Sequence, residues 1–294
     1  MVFRRLQGAA MPCLPITGRG ERRRPVARIA VFNQKGGVGK TTTTLNLLAA
    51  YAGRGGTPAA IDLDPQGHLS AIAGAAPDDA DRSVYAFFRD AKPLASIAVE
   101  SALGWPVVPA HLELAKVDTQ FGKGPNVLMR LKHGLARDGL GEAGLLLIDC
   151  SPMLGVLSLS AIFASDRVLV PVSADYLAVK GALQVEKTLN ALQRVVGRRI
   201  DRRYVVTRFD GRRRMSWDIL ETFRQRFGAD LAESRISENV SIAESPFSDR
   251  DVFAHAPSSR GAADYAALFE ELAATGFLGE SAGQVARPVL AAVA

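Results

Sequence analysis

Short apolar runs alternate with stretches of helical period along most of the chain. The first run, Ile29-Ala30-Val31-Phe32, ends in a glycine-rich turn. Beyond the turn Leu45, Leu48, Ala49 and Ala52 recur at spacings of three and four, one face of a helix. Further runs of strand character lie at Ala59–Leu63, Pro106–Val108, Leu145–Ile148, Arg167–Val172 and Tyr204–Thr207. Between them the pattern predicts helices over Val127–Ala136, Leu177–Val196 and Trp217–Phe227. In the second of these, Val185, Leu189, Leu192 and Val196 share a face. A last helix runs through Tyr265, Leu268, Phe269 and Leu272. Short, nearly continuous apolar strands separated by helices predict an α/β fold. The expected form is a single doubly wound, mostly parallel sheet with helices on both faces.

Composition and charge narrow this picture. The chain has 294 residues, 48% hydrophobic and 22% charged, too balanced for a disordered or fibrous protein. No apolar run approaches the roughly 18–20 residues that cross a bilayer, and the arginine-rich start lacks the apolar centre of a secretory signal. Two cysteines, Cys13 and Cys150, are too few for a disulfide framework or a four-ligand zinc site. A cytoplasmic location is expected. The net charge of +6 belongs to the start of the chain, where residues 1–28 hold seven arginines and one glutamate. The body is neutral overall, except that residues 194–214 carry nine arginines against Asp201 and Asp210, a phosphate-facing patch or a solvated basic face. Residues 1–27 read as a basic, flexible extension, 28–275 as one domain and 276–294 as a loosely ordered tail rich in glycine and alanine.

The chemistry concentrates in Asn33-Gln34-Lys35-Gly36-Gly37-Val38-Gly39-Lys40-Thr41-Thr42, between a strand and a helix. Glycines let successive backbone N–H groups turn inward around phosphate oxygens, and the following helix adds the partial positive charge of its N-terminus. In such a loop Lys40 neutralises the β- and γ-phosphates and the Thr41 hydroxyl ligates Mg²⁺. Two acidic segments close strands: Asp62-Leu63-Asp64-Pro65-Gln66-Gly67 and Leu145-Leu146-Leu147-Ile148-Asp149. A carboxylate at the C-terminal end of a strand faces the ligand crevice of an open parallel sheet. Asp149 has the Walker B arrangement and is expected to hold Mg²⁺ through water.

The loop differs from the ordinary phosphate loop in having Gln34 where a glycine would stand, followed by Lys35. A second lysine five residues before Lys40 resembles the deviant Walker A loop of the ParA/MinD ATPases. Pro171-Val172-Ser173-Ala174-Asp175-Tyr176-Leu177-Ala178 with Gly181, Thr207-Arg208-Phe209-Asp210, Ile236–Pro246 and Ser258-Ser259-Arg260-Gly261-Ala262 are similar to further blocks of that family, so the resemblance covers residues 28–275. It implies a P-loop ATPase that binds ATP and Mg²⁺ through Lys35, Gly36, Gly37, Val38, Gly39, Lys40, Thr41 and Thr42. In that family Lys35 would reach the phosphates held by a second subunit. Asp64 would orient the attacking water, Asp62 would stand in the Mg²⁺ shell, and Asp210 would lie on the adenine side. The short ParA form, without an N-terminal helix-turn-helix domain, fits best with 27 residues before the first strand.

One departure bears on DNA. Short ParA proteins read P-R-N-V-R before S-E-A-P, and those arginines hold nonspecific DNA. Here the segment is Ser237-Glu238-Asn239-Val240-Ser241, so attraction at one phosphate-contacting position becomes repulsion. Any DNA contact is then expected from Arg212, Arg213, Arg214, Arg224, Arg226 and Arg235. The resemblance implies an ATP-dependent homodimer that segregates or positions a chromosome, plasmid or protein assembly over the nucleoid, slow until a ParB-like adaptor stimulates it. The alternative is a MinD-like membrane-associated positioning ATPase. That type ends in a basic amphipathic helix, where this chain has Arg287 followed by Pro288. A related reductase with a bridging iron–sulfur cluster would need two core cysteines, and a related tyrosine kinase would need a tyrosine-rich tail beyond Tyr265.

Overall fold

The computed structural model describes residues 27–122, 124–138, 140 and 144–279. Eight strands form one sheet: β1 Arg28–Val31, β2 Pro58–Leu63, β3 Val99–Glu100, β4 Pro106–Val108, β5 Leu145–Cys150, β6 Arg167–Ser173, β7 Asp201–Phe209 and β8 Leu231–Ser237. Their spatial order is β3-β4-β2-β5-β1-β6-β7-β8. Every pairing is parallel except that of β3 with β4 at one edge. This is the doubly wound, mostly parallel α/β sheet that the pattern predicts.

Alternation along each strand divides the core. Ala30, Phe32, Ile61, Ile148, Val170 and Val206 point to one face, which the helices Val156–Ala164, Tyr176–Val196 and Arg214–Phe227 cover. Ile29, Val31, Ala60, Leu147, Leu169 and Val205 point to the other, against Lys40–Ala52 and Arg260–Ala274. Burial on both faces is what makes the strands read as apolar runs instead of alternating ones.

The sequence expectation also leaves out β3 and short helices such as Val84–Asp90 and Val156–Ala164, and it differs at three further places. The helical stretch around residue 130 is two pieces, Pro125–Leu128 and Arg130–Arg137. Strand β8 was not expected: it is an edge strand, and its Glu233 and Arg235 interrupt the apolar signal. The chain also packs on beyond residue 275. Phe277 and Leu278 are buried, and Arg167 Nη1 donates to the Phe277 carbonyl at 2.8 Å. Of the expected extension over residues 1–27, Ala27 is buried, while residues 1–26, with Cys13, and the C-terminal segment from residue 280 lie outside the described residues.

Strand register positions the acidic groups. Asp62 on β2 and Asp149 on β5 are direct partners across the sheet, and Val31 pairs with Asp149 from the other side. The loop that leaves β1 therefore starts beside both carboxylates.

Candidate active site

The loop after β1 is shaped by two glycines in the left-handed region, Gly37 at φ 71° and Gly39 at φ 84°. Gly39 is the N-cap of helix Lys40–Ala52 and offers no side chain to the first-turn N–H groups, so these remain available to an anion. Asn33 anchors the start of the loop: its Nδ2 donates to the Pro171 carbonyl at 2.7 Å, and its Oδ1 accepts from the Lys35 N–H at 3.0 Å. On the other side Thr207 Oγ1 donates to the Val38 carbonyl at 2.8 Å. The loop is thus clamped to the ends of β6 and β7.

Lys40 is nearly buried, and its Nζ donates to the Lys35 carbonyl at 3.1 Å. Burial lowers its ammonium below the ordinary lysine value, against the opposing pull of Asp149, Cys150 and Asp64. Thr41 Oγ1 donates to Asp149 Oδ2 at 2.7 Å. Asp149 and Asp62 are both fully buried. Burial first, and their mutual repulsion second, push Asp149 well above the usual carboxylate range. Burial likewise pushes Asp62 to about 6, although hydrogen bonds from Ser70 and the Asp64 N–H oppose it. Two desolvated carboxylates facing a threonine hydroxyl form an oxygen-rich, electron-dense pocket that a divalent cation would relieve. Thr41 and Asp149 fit Mg²⁺, with water and phosphate oxygens completing a shell that protein groups alone do not supply.

Asp62 has a different set of partners from those expected of a metal-shell residue. Its Oδ2 accepts from both the N–H and the hydroxyl of Ser70, at 2.9 and 2.7 Å, and its Oδ1 accepts from the Asp64 N–H at 3.0 Å. Asp62 therefore ties the strand end to helix His68–Ile72 and fixes the backbone that carries Asp64. Asp64 itself is half-buried and lines the cavity, its Oδ1 accepting from the Gln66 N–H at 3.1 Å. Ser70 also receives the Ala110 N–H at 2.9 Å, which links this acidic loop to the end of β4. Nothing in the spacing of the chain marks Ser70, because its role depends on a helix that packs back onto β2.

The cavity has a volume of about 1040 Å³. Gly36, Gly37, Lys40, Thr41 and Thr42 form its floor, with Asp64 on one flank and Thr207, Arg208, Ile236, Ser237 and Glu238 on the other. The strand order explains the polarity: β2 and β5 lie on one side of the loop, β7 and β8 on the other. The acidic, metal-suited end is therefore opposite the end that would receive a base. Lys35 does not line the cavity. Its Nζ donates to both oxygens of Asp175, at 2.6 and 2.5 Å, and to Ser173 Oγ at 3.2 Å. Burial works against the charge of Asp175, but the hydrogen bonds from Lys35 and Ser173 outweigh it and hold the carboxyl below its usual range.

Asp210 is not turned toward the cavity either. Arg212 grips it at 2.9 and 3.0 Å and Arg213 adds a contact at 3.2 Å, which hold the carboxyl down to about 2. The cavity wall beside it is made instead by Arg208, at an unusual φ of 52°, paired with Glu238 at 3.1 Å. The remaining arginines expected to meet DNA are also engaged. Arg214 faces Asp218 at 3.9 Å, Arg224 meets Glu233 at 3.3 Å and Arg226 meets Glu186 at 2.7 Å. Arg235 lies 5.0 Å from the ring centre of Phe209 and 5.3 Å from that of Trp217. Cys150 is fully buried against the Ile148 carbonyl, and burial raises its thiol well above the ordinary value, so it packs as a small apolar residue.

Similarity to known proteins agrees with this geometry. Residues 26–201 match the family described as an AAA domain. The chromosome partitioning protein ParA of Caulobacter vibrioides is 32% identical over 251 residues, 84% of this chain and 94% of that protein. The chromosome-partitioning ATPase Soj of Thermus thermophilus is 35% identical over 261 residues, 86% of this chain and 97% of that protein. Among solved structures, cobyrinic acid a,c-diamide synthase from Mycobacterium smegmatis with bound ATP analog and magnesium superposes with a TM-score of 0.72 at 29% identity, covering 83% of this chain and 92% of that one. The clamped phosphate loop, the adjoining Asp62–Asp149 pair and these relatives together show that the chain belongs to the ParA/Soj family of P-loop ATPases.

Proposed function

We propose that this protein is an ATP-driven dimerisation switch that segregates or positions a chromosome, plasmid or protein assembly, as the names of its partitioning relatives suggest. The observation that carries the reading is the division of labour between two lysines on one loop. Lys40 lines the cavity, whereas Lys35 leaves it and ends at the surface on Asp175. A lysine that does not serve its own phosphates supports a role at those of a second copy.

In this scheme the loop N–H groups and Lys40 bind the β- and γ-phosphates, and the Thr41 hydroxyl, donating to Asp149, would offer its oxygen to Mg²⁺. Magnesium supplies charge neutralisation at the phosphates. Asp64 accepts a hydrogen bond from the attacking water and orients it in line with the γ-phosphorus, with Asp62 and Ser70 fixing its backbone. Hydrolysis removes the γ-phosphate that ordered the Asp62–Gly67 segment, and the two copies part. A ParB-like adaptor accelerates this step, and until it occurs the ATP-bound dimer resides on nucleoid DNA. Among the described residues no helix is long and apolar enough to cross a membrane, and the segment that a MinD-like anchor would occupy, residues 283–290, lies outside them.

The test is the mass of the protein in solution with a non-hydrolysable ATP analogue and magnesium. A dimer that Lys35→Ala abolishes, with nucleotide affinity retained, supports the reading. A monomer under saturating nucleotide, or a dimer indifferent to Lys35→Ala, refutes it.

A further inference from the structure

The basic segment that begins at residue 194 is only partly absorbed by the nucleotide end of the fold. Its first four arginines lie at the opposite pole, where helix Tyr176–Val196 ends and β7 begins. Gly197, at φ 70°, turns the chain there. Arg194, Arg198, Arg199 and Arg202, with Asn190 and Gln193, line an open cleft of about 690 Å³ with no carboxylate among its lining groups. Nine-residue β7 separates this cleft from the phosphate loop, a span of about 30 Å, so the cleft is not a part of the nucleotide cavity.

The cleft has the features of a built site. Arg202 is its base, with only 9% of its side chain exposed. Its Nη2 donates to Asn190 Oδ1 at 2.8 Å and to Gln193 Oε1 at 3.3 Å, and Gln193 is fixed in turn by the Ile200 N–H at 3.0 Å. Arg202 Nε and Nη1 are buried without a hydrogen-bond acceptor, the nearest carboxylate being Asp230 at 3.8 Å. Arg198 is held by the carbonyls of Ser165 at 2.7 Å and Asp166 at 3.4 Å, which place its charge at the rim without neutralising it. Arg199 is shared between Asp201 at 3.6 Å and Asp230 at 3.4 Å, both longer than a good charge-assisted bond. Arg194 is exposed, with no hydrogen bond or ion pair among the described residues. Where these four meet a carboxylate the contact is 3.4 Å or longer, looser than those of Arg212, Arg213 and Arg226 at 2.9, 3.2 and 2.7 Å.

We propose that this cleft is a second phosphate site that binds a compact anion with two or more phosphoryl groups. Four arginines lining one open cleft suit the clustered oxygens of a diphosphate. A cleft of about 690 Å³ takes a compact polyphosphate whole, whereas a duplex could lay only one or two of its phosphates in it. The proposal is independent of the dimerisation switch, because no residue of the cleft belongs to the loop or the acidic pair.

The experiment uses full-length protein with its nucleotide site saturated by ADP, titrated calorimetrically with inorganic pyrophosphate. One saturable equivalent is expected, weakened roughly tenfold by Arg194→Glu and more by Arg202→Gln. Arg194→Glu is expected to keep the wild-type basal ATPase rate, and a melting curve for each variant separates lost binding from lost folding. A random-sequence duplex at equal phosphate concentration is expected neither to bind here nor to displace pyrophosphate. The proposal is overturned if pyrophosphate shows no saturable binding, if Arg194→Glu and Arg202→Gln both bind like wild type, or if the duplex is the ligand whose binding Arg194→Glu removes.

Discussion

Lys35 and Asp175 form a two-pronged ion pair, with Nζ 2.5 and 2.6 Å from the carboxylate oxygens. The same carboxylate caps helix Tyr176–Val196 by accepting from the Ala178 N–H at 3.1 Å. The lysine assigned to the partner subunit is therefore held within its own chain when no partner is present. Asp175→Asn keeps an oxygen for the helix cap and removes the charge. Because both side chains are partly exposed, the loss in stability is small, under about 1 kcal/mol. Under the proposed switch the variant dimerises at lower ATP concentration than wild type, measured by light scattering across a nucleotide titration. An unchanged midpoint means that the pair does not restrain Lys35.

Three substitutions separate the steps at the cavity. Lys40→Ala weakens ATP binding by about a hundredfold or more, because the phosphate charge loses its buried counter-ion. Asp64→Ala leaves ATP binding and dimerisation intact while turnover falls about 10²–10⁴-fold. Ser70→Ala leaves the Asp62 carboxylate short of a hydrogen bond and costs about 1–3 kcal/mol in stability. Its turnover also drops, since the backbone of Asp64 loses its support. Equilibrium nucleotide binding and single-turnover hydrolysis on the same preparations check all three.

The buried carboxylates make stability depend on pH in an uncommon direction. Asp62 titrates near 6 in the folded chain, against an ordinary value of 3.8, so the folded state binds more protons than the unfolded state between these limits. Asp149 shifts in the same direction. Stability of the nucleotide-free protein therefore falls as pH rises from about 4 through about 6. Magnesium and nucleotide oppose the effect by neutralising the pair. Thermal melting from pH 5 to pH 8, with and without ADP and magnesium, measures both slopes. A nucleotide-free protein that gains stability over this range contradicts the assignment.

Asp210 restrains two of the arginines from which any DNA contact is expected. Asp210→Asn releases Arg212 and Arg213 from a carboxyl held at about 2. If this loop meets DNA in the ATP-bound dimer, affinity for random-sequence duplex rises. The slope of log K against log salt steepens by about one or two. Unchanged affinity places the DNA surface elsewhere.

Packing offers a prediction free of function. A methyl group added at Gly134 would stand 2.4 Å from the ring of Phe87, which is itself buried. Gly134→Ala therefore destabilises the fold by about 1–3 kcal/mol, despite the better helix propensity of alanine. Chemical denaturation checks the value. Phe87→Leu in the same chain recovers part of the loss if the ring is the obstacle.

Much of this architecture was legible along the chain. The strands of the sheet interior, β1, β2, β5, β6 and β7, are apolar on both faces and cannot be mistaken for solvent-facing segments. Strand β8 was hidden because an edge strand with Glu233 and Arg235 has one wet face and follows a helix of similar polarity. In the site, Lys35, Lys40, Thr41, Asp64 and Asp149 could be singled out because a loop motif or a strand end marks them along the chain, while the roles given to Lys35 and Asp64 came from the family resemblance. Ser70 and the capture of Asp210 by Arg212 could not, since each depends on which way a neighbouring backbone turns. Asp175 lay in a quoted motif, but the sequence did not say that it would hold Lys35 across 140 positions.

The amino-acid order alone determined the fold class, the phosphate loop and the two acidic strand ends, because period, glycine placement and strand-end position are local properties that tertiary contacts do not change. Register between β2 and β5 decided that Asp62 and Asp149 share one buried pocket and repel each other. Side-chain geometry decided that Asp62 supports Asp64, that Asp210 is withheld from the cavity, and that four loosely paired arginines gather at the far pole of β7. Those outcomes belong to the folded molecule because the electrostatic energy of a charge depends on its distance from other charges and from water, and distance through space is not written in distance along the chain.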